Sequence, residues 1–228
     1  MKRRQFAVIG LGRFGSAMAT TLTELGQDVI GVDGEAERVR ELADVITQAI
    51  ELDATDGRAL RAAGIHDVDV AVVSIGENIE SSLLVVMQLR ELGVPNIVAK
   101  AVTPLHGKIL EKLGVNRVIF PEREMAIRIA HGLVTPDVID YIELSRDFSI
   151  VELPAAANFV GQTLKQLELR PRYGLTLIAI KRRPEGAGDD APVVTNVAPA
   201  ADETIRSGDV LVLLGSNEKL NQLDTLFK

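Results

Sequence analysis

Cysteine and tryptophan are both absent from the 228-residue chain. The first absence excludes disulfides, thiolate metal sites and a cysteine nucleophile. Aromatic residues amount to only 4%, too few for the stacking platforms that hold single-stranded nucleic acid. Basic residues are in the minority, 25 Lys and Arg against 32 Asp and Glu, for a formal charge of −7. A surface of that sign repels phosphate backbones and anionic lipid, so no nucleic-acid partner is expected. Long apolar runs are missing too. Met1-Lys-Arg-Arg-Gln5 leads into an apolar stretch too short for a signal peptide or a membrane span. The character is cytoplasmic. What remains is an ordinary globular balance, 46% hydrophobic and 25% charged, in a chain long enough for one large domain or two modest ones.

Up to about residue 135, short β-branched runs at 6–9, 28–33, 45–50, 68–74, 96–100 and 117–120 alternate with amphipathic segments such as 79–92. Continuous apolar strands separated by helices imply a parallel sheet covered on both faces, with right-handed crossovers. The expected fold class is therefore α/β, a doubly wound, Rossmann-like sheet. Pro121 opens a further helix, at a position where its missing N–H costs nothing, and Thr135-Pro136 closes it. Residues 148–153 then alternate like a half-exposed strand, and 175–180 and 210–214 read as later strands. Between 182 and 199 the chain is rich in Pro, Gly, Asp and Ala, with 184–192 the segment expected to be flexible, and 220–227 reads as a terminal helix. This divides the chain into a nucleotide-binding lobe at 1–134, including the 121–134 helix as a crossover, a connector at 135–147 and a small α+β lobe at 148–228. The second lobe is small enough that docking to a partner copy is expected.

The strongest motif is Gly10-Leu11-Gly12-Arg13-Phe14-Gly15, directly after the first strand and before a helix. Its first glycine permits a tight turn, its second lets the backbone approach a phosphate, and its third allows close helix–strand packing. Amide N–H groups at the helix start then face the anion. Asp33 closes the second strand 23 residues beyond Gly10, where a carboxylate can accept hydrogen bonds from both ribose hydroxyls. An adenine nucleotide is the expected ligand, and the free carboxylate disfavours a 2′-phosphate, hence NADP. Arg13 is either a charge-assisted donor folded over a di- or triphosphate or a solvated residue opposing the helix dipole. Asp53 either flanks the adenine or caps the segment near Thr55-Asp56.

Acid–base chemistry is poorly supplied. His66, His106 and His131 read as surface or packing histidines. No Tyr-x-x-x-Lys pair occurs, because Tyr141 and Tyr173 are followed four places on by Ser145 and Leu177. An enzyme is not expected; an NAD(H)-binding oxidoreductase or NAD-sensing regulator is the alternative.

Gln5-Phe-Ala-Val-Ile-Gly-Leu-Gly-Arg-Phe-Gly15 closely resembles the opening of the bacterial Ktr/Trk potassium-uptake regulatory subunits, built on the RCK domain. The likeness continues through Val94-Pro-Asn-Ile-Val-Ala-Lys-Ala101 and Leu110-Glu-Lys-Leu-Gly-Val-Asn-Arg-Val-Ile-Phe-Pro-Glu122, then Tyr141-Ile-Glu-Leu-Ser145, Ser149-Ile-Val-Glu-Leu153 and Arg172-Tyr-Gly-Leu-Thr-Leu-Ile-Ala-Ile-Lys181. One nucleotide lobe with one C-terminal lobe is similar to the single-unit Ktr type. The resemblance implies a cytoplasmic gating ring, an octamer made of dimers, docked on a separate potassium-translocating membrane protein. It implies ATP and ADP as competing ligands that favour different ring shapes, ATP being the activating one.

By the same resemblance, Gly10, Gly12, Arg13 and Phe14 lie along the phosphates, with Gly15 closing the motif, and Asp33 holds the ribose. Asp53 and Ala54 border the adenine, Ser74 and Gly76 the rim, and Lys100 the opposite edge. Glu122 matches a family glutamate at the dimer interface that binds a divalent cation, Mg²⁺ or Ca²⁺, beside the γ-phosphate; it is also a helix-start carboxylate of the kind the dipole favours. The family's C-terminal lobe can bind cyclic di-AMP across its own dimer interface. Arg170, Leu175, Ile178, Pro199 and Ala200 are the residues so implied, or else they are ordinary packing residues.

Overall fold

The computed structural model describes residues 3–76, 78–134, 139–184, 192–220 and 222. They fall into two compact units, Met1–Pro121 and Glu122–Lys228. The first alternates strand and helix: β1 (Gln5–Ile9), α1 (Arg13–Glu24), β2 (Asp28–Asp33), α2 (Ala36–Leu42), β3 (Gln48–Glu51), α3 (Gly57–Ala62), β4 (Val70–Val73), α4 (Ile79–Glu91), β5 (Ile97–Lys100), α5 (Pro104–Lys112) and β6 (Arg117–Ile119). All six strands are parallel, in the order β3-β2-β1-β4-β5-β6. This is the Rossmann-like sheet expected.

Its central strands are apolar on both sides because both faces are covered. Successive side chains point to opposite faces of a strand. Ala7 and Ile9 accordingly pack with Ala71, Val73, Leu60 and Leu89, whereas Val8 packs with Val70, Val72, Leu11 and Ala19. The order of strands runs outward from β1 to β3, then resumes on the other side of β1 with β4. Such a reversal opens a crevice at the carboxyl ends of the two strands. The third strand starts later than its apolar run suggests. Val45 and Ile46 both donate backbone bonds to Leu42 O at the end of α2, and Ile46 is buried against the sheet from that turn rather than from a strand.

The second unit contains nearly all of α6 (Pro121–Val134), then β7 (Asp140–Glu143), β8 (Phe148–Pro154), α7 (Leu164–Leu167), α8 (Leu169–Tyr173), β9 (Thr176–Arg182), β10 (Val194–Val197), β11 (Val210–Ser216) and α9 (Asn217–Leu220). Its five strands form an antiparallel sheet in the order β10-β9-β11-β8-β7. Leu175, Ile180, Ile205, Leu211 and Leu213 are fully buried in its core. Two strands depart from the sequence reading: β7 lies in the stretch read as a connector, and β10 in the turn-rich stretch. Thr135-Pro136, most of 184–192 and most of 220–227 lie outside the described residues.

A charged network ties β9 to β11. Arg182 donates from Nε and Nη2 to Asp209, both at 2.7 Å, from Nη1 to Glu203 at 3.0 Å, and from Nη2 to Thr204 O at 3.1 Å. Asp209 is fully buried and also accepts the Arg206 amide at 2.8 Å. Among the described residues, no helix is long and apolar enough to cross a membrane.

Candidate functional site: the glycine turn and its carboxylate

The turn after β1 is held from both sides. Gly10 N–H donates to Val32 O on β2 at 2.8 Å, and Ser74 N–H, just past β4, donates to Ile9 O at 2.8 Å. The Ser74 hydroxyl donates to Gly10 O. Gly10 has φ +91°, a left-handed conformation that side chains disfavour. Gly15 is buried, and a Cβ there would overlap Gly10 O and Ser74 Oγ, so its constraint is close packing of α1 on the turn. Gly12 differs from both. A Cβ there would meet no atom within 4 Å, so its side faces open space.

Ser16 N–H makes the first intrahelical bond, to Gly12 O at 2.9 Å. The amides of Arg13, Phe14 and Gly15 precede it, and Gly12 supplies no side-chain cap. Such amides need acceptors from elsewhere. By contrast, α3, α4 and α5 are capped by the side chains of Asp56, Asn78 and Thr103. An uncapped positive helix end beside an open approach suits an anion.

Asp33 is buried at the end of β2. Its Oδ2 accepts Leu11 N–H at 2.6 Å and its Oδ1 accepts Glu35 N–H at 2.9 Å. The carboxylate thus braces the glycine turn against the β2–α2 turn. Arg38, which no motif singled out, places Nη1 3.5 Å from Asp33 Oδ2 and Nη2 3.0 Å from Glu35 Oε1.

Asp53, past β3, is exposed and Ala54 is buried. Asp53 Oδ1 accepts from Thr55 Oγ1 at 2.7 Å and from Thr55 N–H at 2.9 Å. These two bonds, the side-chain one foremost, hold its carboxyl below the usual carboxylate range. The α3 cap falls to Asp56, which accepts Arg58 N–H at 2.8 Å. At the other edge, Lys100 Nζ lies 5.8 Å from the Phe14 ring centroid, and a Cβ on Gly76 would come within 3.3 Å of Lys100 Nζ. Gly10, Gly12, Arg13, Phe14, Gly15, Asp33, Ser74, Gly76 and Lys100 therefore gather at the carboxyl ends of β1, β2, β4 and β5, with Asp53 and Ala54 one strand further out.

Other candidates are placed differently. Glu122 is exposed in the first turn of α6, and the described residues contain no group of three His, Asp or Glu side chains able to hold a metal. Arg170 borders a hollow of about 290 Å³ together with Leu164, Lys165 and Leu177. Leu175 lies at its floor, fully buried in the core, while Ile178, Pro199 and Ala200 do not line it. A larger hollow of about 520 Å³, beside α3 and α4, holds none of the residues singled out from the sequence. His106 is buried, and burial pushes its pKa down.

Residues 6–121 match the TrkA-N domain, and residues 148–228 match the TrkA-C domain. Over 222 residues the chain is 39% identical to Ktr system potassium uptake protein C of Bacillus subtilis (strain 168), covering 97% of this chain and 96% of that protein. It is 38% identical over 224 residues to Ktr system potassium uptake protein A of the same organism, covering 98% and 97%. Among solved structures, the GsuK RCK domain is similar with a TM-score of 0.66 and 20% identity, over 99% of this chain and 48% of that one. The GsuK channel bound to NAD gives a TM-score of 0.63 at 19% identity, over 100% of this chain and 40% of that one. The chain spans less than half of those structures, and at such identity the likeness is one of fold.

Proposed function

Because the chain belongs to the Ktr-type regulatory RCK subunits of potassium-uptake systems, with one TrkA-N and one TrkA-C domain, we propose that it senses adenine nucleotides on behalf of a potassium-translocating membrane partner. It works in the cytoplasm, held at the membrane through that partner, and it is not an enzyme. Homodimers assemble into an octameric gating ring. ATP and ADP compete for the cleft above β1 and β4 and favour different ring shapes.

One observation carries the nucleotide reading. The amides of Arg13 to Gly15 lack a side-chain cap and lie beside the open side of Gly12, with the fixed carboxylate of Asp33 at the end of the neighbouring strand. These residues fit a phosphorylated ribonucleoside. The amides take a phosphate, Asp33 takes ribose hydroxyls, Asp53 and Ala54 border the base, and Ser74, Gly76 and Lys100 form the far rim. Arg13, exposed at the helix start, supplies a cation for a longer phosphate tail. ATP and ADP differ by one charged group, and only unequal affinities for two ring arrangements can move the equilibrium. A coupling of about 1–3 kcal/mol per site is typical, and several sites acting together make a decisive switch.

Glu122 extends this reading to Mg²⁺ or Ca²⁺. One exposed carboxylate is an incomplete site, so the cation would be shared with a second copy of the chain and the terminal phosphate, easing repulsion between like charges. Cyclic di-AMP is a further ligand of the second lobe, with Arg170 beside the hollow and Leu175, Ile178, Pro199 and Ala200 near the two-fold contact. NAD(H) in the same cleft is the second reading, favoured by the same Asp33.

Calorimetry with ATP, ADP and NAD, with and without Mg²⁺ or Ca²⁺, tests the scheme. We expect ATP binding to strengthen with divalent cation, Glu122→Gln to abolish that gain, and ADP affinity to stay nearly constant. Equal ATP and ADP affinities under every condition would overturn nucleotide switching, and tighter binding of NAD than of either would favour the second reading.

A further inference from the structure

The ribose end of the cleft holds a cation that the glycine motif does not require. Arg38 sits in the first turn of α2, where the helix dipole disfavours positive charge. Its guanidinium spans two carboxylates, reaching Asp33 Oδ2 with Nη1 at 3.5 Å and Glu35 Oε1 with Nη2 at 3.0 Å. We propose that Arg38 is a positioning residue for ribose recognition, and that it acts by bracing the Asp33 carboxylate and holding Glu35 turned aside. The inference rests on the nucleotide reading above and assigns the chemistry of its sugar end.

Asp33 is 8% exposed, so its carboxylate needs polar partners close by. A carboxylate has about four lone-pair sites. One amide, Leu11 or Glu35, occupies a site on each oxygen, and Arg38 Nη1, 3.5 Å from Oδ2, makes an ion pair there without a hydrogen bond, which leaves one site per oxygen. Two remaining acceptor sites on a pre-oriented carboxylate match a vicinal diol, which brings two donors. Glu35 threatens that match, because it is a second negative charge two residues away and competes for the same hydroxyls. One arm of Arg38 draws Glu35 aside while the other lies against Asp33 Oδ2. A lysine's compact ammonium cannot reproduce this fork. With both arms drawn toward carboxylates, Arg38 is turned away from a 2′-phosphate, so the site takes an unsubstituted ribose.

The full-length chain tests this through the ratio of affinities for ATP and 2′-deoxy-ATP, measured calorimetrically alongside thermal unfolding. Wild type should prefer ATP by about tenfold, the scale of one hydrogen bond to a charged group. In Arg38→Ala, ATP affinity should fall about fivefold and the preference shrink to about twofold, on the scale of a half-exposed ion pair. Arg38→Lys should recover part of the ATP affinity without the full preference. An unchanged ATP to 2′-deoxy-ATP ratio in Arg38→Ala overturns the inference, even with lower thermal stability, because a merely structural role weakens both nucleotides alike. Wild type that binds neither ATP, ADP nor NAD removes the nucleotide reading itself, and the role of Arg38 with it.

Discussion

In the second unit, Arg182 donates from three nitrogens to Asp209, Glu203 and Thr204 O, and Asp209 takes a further bond from the Arg206 amide. In the first unit, the amides of Arg13, Phe14 and Gly15 lie ahead of the first helical bond with no side-chain cap. Asp33 nearby has an amide on each oxygen and acceptor capacity left on both. Both arrangements concentrate polar groups at strand ends, yet one closes on itself and the other stays open. Burial with complete pairing stabilises a fold. Amides ahead of the first helical bond, beside open space, take their acceptors from outside the helix. The difference separates structural polarity from receptive polarity without reference to any ligand.

The comparison breaks most sharply at Arg182. Arg182→Ala would leave the fully buried Asp209 charge without its partner, at a cost of about 3–5 kcal/mol. The chain has two tyrosines and no tryptophan, and both Tyr141 and Tyr173 lie in the second unit. Tyrosine fluorescence during urea unfolding therefore reports that unit alone, and its midpoint should drop while ATP affinity in the first unit holds. Gly15→Ala tests the opposite side. Its Cβ would overlap Gly10 O, so overpacking should cost about 1–3 kcal/mol and remove nucleotide binding, as read by circular dichroism melts and calorimetry.

Gly12→Ala sharpens the contrast, because its Cβ meets nothing within 4 Å. Stability should stay within about 0.5 kcal/mol of wild type, while ATP affinity falls about tenfold as the methyl occupies the phosphate approach. Loss of stability together with binding would show that Gly12 is structural. The smallest effect is expected from pH. Burial lowers the pKa of His106 in the folded first unit, so below its ordinary value of about 6.5 the unfolded chain binds a proton that the folded chain resists. Stability present above that pH is then lost as pH falls toward the folded value. His106→Gln should flatten this slope. Asp140 in the second unit, held low chiefly by its hydrogen bond from Arg128, loses its contribution only at more acidic pH.

Legibility tracked how local each requirement is. Gly10 and Gly15 could be read because a left-handed turn and a tight helix contact accept few other residues. Asp33 could be read because strand length fixes its distance from them. β1, β2 and β4 announced themselves as apolar runs because both faces of the sheet are covered. The edge strands of the antiparallel sheet escaped notice: all four residues of β10 are exposed, so no buried face imposes a pattern, and β7 has only one buried residue, Tyr141. Val45 and Ile46 misled for the opposite reason, since their apolar character serves a buried turn after α2. Asp53 had two open readings, of which the cap went to Asp56. Arg38 carried no signal, because one arginine on a short helix looks like any solvated charge until its distances to Asp33 and Glu35 are known.

Taken alone, the order of residues determined the parallel α/β sheet, the position of its glycine turn and the acidic residue that follows, all consequences of backbone geometry and local periodicity. Tertiary structure alone decided which polar groups find partners. Whether an amide, an arginine or a carboxylate is engaged depends on atoms brought near it by other elements, and hydrogen bonds and ion pairs weaken within a few ångströms.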